Sequence, residues 1–88
     1  MKLIIAILKH DDTENVSNAL VAENFRVTYI ASTGGFLRHG STTLMIGVND
    51  EKVDQAIELI RNRCAPSADP ATKRATLFVL KVDRFDQL

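Results

Sequence analysis

Few residues of this sequence carry groups that could do chemistry, and their spacing separates reaction from recognition. His10 stands beside Asp11 and Asp12, a trio that could hold a metal or form an acid–base pair. The same residues lie where a strand-like run passes into a helical one, so a polar connection with a helix cap is the simpler explanation. His39 sits next to Gly40, and neither histidine belongs to a metal-ligand spacing. Cys64 is the only cysteine. It falls on an apolar helical stripe and reads as a small buried hydrophobe rather than a nucleophile. A single cysteine also excludes an intrachain disulfide framework. Ser32, Thr33, Ser41, Thr42 and Thr43 offer hydroxyls without an identifiable base.

The stretch ASTGGFLRHG, residues 31–40, favours binding. Gly34 and Gly35 can take backbone angles closed to other residues and let a ligand approach closely. Consecutive N–H groups at such a turn can cradle an oxyanion. Phe36 could stack on a planar group, Leu37 could form an apolar wall, and Arg38 could meet a phosphate. A purely structural turn is the competing reading. Apolar residues between glycines need cover, however, from a ligand or from a neighbouring subunit. The glycine pair matches neither the dinucleotide fingerprint nor the P-loop ending. Asn24, Arg26 and Thr28 lead toward this stretch and could form a polar wall, although a solvated strand face is the commoner explanation of such residues. Gly47 interrupts the strand that follows, marking either a bulge or the close approach of a ligand.

The elements that position these residues are legible from periodicity. Lys2 to Lys9 is an almost continuously apolar strand. Asp11 to Thr13 carry helix-starting chemistry, and a helix is expected from about Asp12 to Glu23, with Asn24 as terminator. FRVTYIAST alternates: Phe25, Val27, Tyr29 and Ala31 share one face, while Arg26, Thr28, Ile30 and Ser32 share the other. Ser41 to Val48 reads as its partner strand. Asn49 or Asp50 can cap a second helix carrying Val53, Ala56, Ile57 and Ile60 on one stripe, with Arg61 and Arg63 near its carboxyl end. CAPSADPATK is a loop by its prolines, and Ala75 to Val82 is the last strand. The order strand-helix-strand-strand-helix-strand predicts an α+β, ferredoxin-like sandwich: a four-stranded antiparallel sheet with both helices on one face. The other face stays uncovered, Ile30 included, and implies association into an oligomer.

At 88 residues the chain suits one domain, spanning 1–88, and is marginal in size for independent stability. Eleven basic residues balance eleven acidic ones, so no net charge favours nucleic acid or an anionic membrane. MKLIIAILKHDD has too short an apolar run for a signal peptide, and no run is long enough to span a bilayer. A cytoplasmic setting is expected.

Taken together, MKLIIAILKHDD, ENFRVTYIASTGGFLRHGSTTLMIGVNDEKVD and RATLFVLKVDRF resemble the cyclic-di-AMP receptor family of PII-like signalling proteins. The resemblance spans nearly the whole chain apart from residues 65 to 73. It implies a PII-like homotrimer without catalytic activity or cofactor, binding cyclic di-AMP in clefts between subunits and acting on an unidentified regulatory protein. Position by position, it implies that Arg26 and Thr28 line the pocket and that Gly35, Phe36 and Leu37 enclose an adenine. Gly47 would permit close approach, Phe78 would add an aromatic wall, and Asn24 would sit nearby.

Two departures accompany the resemblance. Ser41 stands where the family usually carries the asparagine of a GNTT segment, and a hydroxyl lacks the paired functions of an amide. The connection before the last strand is short, and Lys73 and Arg74 precede ATLFV where a glycine pair is usual, making this a short-loop variant. Their side chains could fill ligand space or bring charge to a phosphate. The alternative is a PII-like regulator of another adenine nucleotide or an anion, or one acting through a protein partner without cyclic di-AMP. A remote third reading is a small enzyme assembled across subunits around His10 or His39.

Overall fold

The computed structural model describes residues 1–30, 41–64 and 75–88. The expected continuation of the second strand through 31–33, the glycine motif with Gly35, Phe36 and Leu37, His39, and the pair Lys73 and Arg74 lie outside the described residues. The elements run β1 (Lys2–Lys9), α1 (Thr13–Ala22), β2 (Arg26–Ile30), β3 (Ser41–Val48), α2 (Val53–Arg63) and β4 (Ala75–Lys81). The sheet order is β2-β3-β1-β4, and each neighbouring pair is antiparallel. Each split β-α-β unit therefore encloses one strand of the other, which is the ferredoxin-like arrangement expected from the sequence.

Alternation decides which side chains meet the helices. Ile4, Ala6 and Leu8 of β1 and Leu44, Ile46 and Val48 of β3 are buried, together with Val16 and Leu20 of α1 and Ala56 and Ile60 of α2. The helical residues recur at four-residue spacing, so each helix lays one stripe on the same sheet face. Burial of each large aliphatic side chain stabilises the fold by about 1.5–3 kcal/mol. Cys64, just past α2, is buried in this core, as its place on the apolar stripe predicts.

Both helices begin differently from expectation. Each is preceded by a single 3-10 turn, His10–Asp12 before α1 and Asp50–Lys52 before α2. Asp12 is the N-cap of α1 and Asn49 the N-cap of the 3-10 turn before α2, each without a side-chain capping hydrogen bond. The tighter turns supply i+3 backbone bonds where a side-chain cap would otherwise serve. The carboxyl end of α1 follows the sequence closely. Asn24 sits at φ 67, its N–H donates to Val21 O at 2.9 Å, and Phe25 N–H donates to Leu20 O at 3.0 Å. These two bonds form a Schellman motif, and buried Phe25 and Leu20 supply its apolar contact. The side-chain amide of Asn15 donates to Arg63 O at 3.0 Å, fastening α1 to the end of α2.

Candidate ligand-binding face

The sheet face turned away from the helices forms a grid of side chains. The pairings align Arg26, Gly47, Leu3 and Leu80 in one row, from β2 across to β4. Thr28, Met45, Ile5 and Phe78 form the next, followed by Ile30, Thr43, Ile7 and Thr76. Arg26 and Thr28 are exposed on β2, whereas Leu3, Ile5, Ile7 and Met45 are half-buried. Ile30, Phe78 and Leu80 are exposed by 42%, 50% and 46%. One polar edge thus borders an apolar sheet surface. The alternation read from FRVTYIAST holds across the described residues, with Val27 and Tyr29 opposite Ile46 and Leu44 on the helix side.

This grid fixes where the expected site residues stand. Arg26 lies directly opposite Gly47, and Thr28 is two residues along the same strand face, so these three belong together. Gly47 continues the regular register on both sides, without a bulge. A Cβ at Gly47 would lie 3.2 Å from Cε of Met1, the end of a flexible side chain. Asn24, Gly47, Met1 and Asn49 also border a shallow depression of about 230 Å³ at this end of the sheet. Ser41 is half-buried at the start of β3, opposite Lys9. Six residues along the strand separate it from Gly47, about 20 Å. Phe78 shares a row with Thr28 but stands on the opposite edge strand, three strand spacings or about 14 Å away. Within one copy of the chain, Arg26 and Thr28 therefore stand on one edge strand and Phe78 on the other.

Some contacts had no signal in the sequence. His10 Nδ1 lies 3.0 Å from Oγ1 of buried Thr42, a hydrogen bond across 32 residues. The Met1 amino group pairs with Asp50 at 2.9 Å. That hydrogen bond, aided by the charges of Met1, Lys2 and Lys81, holds the Asp50 carboxyl below its usual value against a smaller desolvation effect. Among the described residues no group of three or more His, Cys, Asp or Glu could hold a metal ion. No described helix is long and apolar enough to cross a membrane.

Residues 1–70 match the family described as Cyclic-di-AMP receptor. The chain belongs to that family. Cyclic-di-AMP receptors are nucleotide-binding signalling proteins, not enzymes, and the ferredoxin-like, PII-like fold accords with membership. The match contains Asn24, Arg26, Thr28, Ser41 and Gly47; Phe78 lies beyond it. Among solved structures, one described as a functionally unknown protein from Pediococcus pentosaceus ATCC 25745 is 35% identical to this receptor-family chain, with a TM-score of 0.78. The similarity covers 99% of this chain and 96% of that one.

Proposed function

We propose that this chain, acting as one PII-like domain over residues 1–88, binds cyclic di-AMP between the subunits of a homotrimer and passes that state to a regulatory protein partner. The observation that carries the reading is the separation of Arg26, Thr28 and Gly47 on one sheet edge from Phe78 on the other. A head-to-tail contact brings the β2 edge of one copy to the β4 edge of the next, and such contacts form a ring where the rotation between copies closes. The exposed Phe78, Val79 and Leu80 favour cover by another copy, since an edge strand apolar on both faces invites pairing. In that cleft Arg26 supplies charge-assisted hydrogen bonds to a phosphate or an adenine edge, and Thr28 supplies a hydroxyl. Gly47 leaves room for the ligand once the Met1 side chain moves aside. Gly35, Phe36 and Leu37 enclose an adenine, with Phe78 as the facing wall and Asn24 and Ser41 at the two ends of the face.

Isothermal titration of the whole chain against cyclic di-AMP, cyclic di-GMP, ATP and AMP tests the ligand. Saturable heat with cyclic di-AMP at one site per subunit, and much weaker heat with the others, is the expected result. Silence with cyclic di-AMP at high micromolar protein, or a preference for ATP or AMP, overturns it.

A further inference from the structure

Tyr29 belongs to the helix-facing row of β2, opposite buried Leu44, yet it remains 53% exposed. Its ring borders a cleft of about 490 Å³ on the helix side of the sheet, with His10, Asp11, Glu14, Ser17 and Asn18 as further walls. The walls are anchored: His10 bonds to Thr42, and the Thr13 hydroxyl donates to Lys9 O at 3.4 Å. Asp11 and Glu14 are both exposed and bring two carboxylates to the cleft, while among the described residues no lysine or arginine lines it. The lining runs along the chain from residue 11 to 18, about 10 Å of helix, a length suited to an extended segment rather than an isolated ion. It lies on the opposite side of the sheet from Arg26, Thr28 and Gly47 and is separate from the proposed nucleotide face.

We infer that this cleft docks a cationic segment of a partner protein, seating an arginine or lysine side chain between the Asp11 and Glu14 carboxylates and the Tyr29 ring. The two carboxylates attract the cation, and the aromatic face adds attraction where water is partly excluded. Ser17 and Asn18 offer hydrogen bonds to the backbone of an extended peptide, which an acidic surface patch alone would not provide. A bound segment would lie against α1 and the described end of β2.

Amide-resolved NMR titration of the whole chain, without nucleotide, tests the inference with a capped Arg-Gly-Arg-Ser-Arg-Gly peptide. Its analogue with glutamate in place of each arginine is the control. Saturable shifts are expected at residues 10–18 and at Tyr29 with the basic peptide only. Asp11→Asn with Glu14→Gln should weaken binding at least five-fold while leaving the core amides of β1 and β3 unmoved. Tyr29→Ala should weaken it by about two- to five-fold, the contribution of an exposed cation–π contact. Equal binding by the carboxamide variant, equal binding by the glutamate peptide, or shifts spread over acidic residues elsewhere would overturn the assignment. An unchanged affinity in Tyr29→Ala would reduce the site to general charge attraction and overturn it as well. None of these results depends on whether cyclic di-AMP binds the other face.

Discussion

Arg26 and Gly47 face each other across β2 and β3, and their roles separate by exposure. Arg26 is exposed, with no core contact to lose, so Arg26→Ala should leave the unfolding midpoint within about 0.5 kcal/mol of the parent. Calorimetric affinity for cyclic di-AMP should fall roughly 10- to 100-fold, since hydrogen bonds to charged groups contribute about 1.5–3 kcal/mol. Gly47→Ala should fold normally because the flexible Met1 Cε can yield to the new methyl group. The same methyl occupies the space a ligand needs, so nucleotide affinity should drop while thermal stability holds. Asp50 makes a separate prediction in acid. Its carboxyl is held down by the hydrogen bond from the Met1 amino group, so its contribution is fully present above the usual carboxylate range. That contribution is lost as pH falls through this range to the depressed folded value. Urea unfolding at a series of acid pH values should show a shallower acid decline for Asp50→Asn than for the parent chain.

At the scale of elements, the turn from α1 into β2 sets the register of the ligand face. Asn24 in the left-handed region ends the helix, and Phe25 enters the core as the first residue beyond it. Arg26 and Thr28 then necessarily point away from the helices. Asn24→Ala should destabilise the fold by about 1 kcal/mol, because an alanine pays the full left-handed penalty. Asn24→Gly should be nearly neutral. Urea midpoints compared at one protein concentration distinguish the two, and equal losses in both would show that the amide side chain matters more than the backbone angle. The helix starts show the limit of local reading. Aspartate, asparagine and threonine marked both starts in the sequence, but the backbone satisfies itself through 3-10 turns. Capping residues signal a terminus without determining which bonds close it.

For the whole molecule, the sheet face turned away from the helices is the dominant feature. Its half-buried centre of Leu3, Ile5, Ile7 and Met45, with Phe78 and Leu80 exposed at one side, is an apolar surface on a chain of marginal size. Leu80→Glu introduces a charge on this face at a site with little to lose in the core. Light scattering coupled to size-exclusion chromatography should then report a monomer, against a trimer for the parent chain. Cyclic di-AMP affinity should fall with it, because Phe78 would no longer be carried to the Arg26 edge of a neighbour. A trimeric Leu80→Glu variant would place the contact elsewhere.

The residue pattern was enough to specify the six elements, the four-stranded sheet and the side of β2 that carries Arg26, Thr28 and Ile30. Strand alternation and helical periodicity are local properties, and the left-handed cap at Asn24 depends on neighbouring residues alone. The resemblance to cyclic-di-AMP receptors was likewise legible, because the ordered run around Arg26, Thr28 and Gly47 is a linear signal. Distances between strands are not linear. Only the tertiary structure decided that Phe78 shares a row with Thr28 yet stands on the far edge strand, that Met1 lies over Gly47, and that Tyr29 and the start of α1 border a polar cleft. Each depends on pairings between segments distant in sequence, whose geometry is fixed by burying one sheet face beneath two helices.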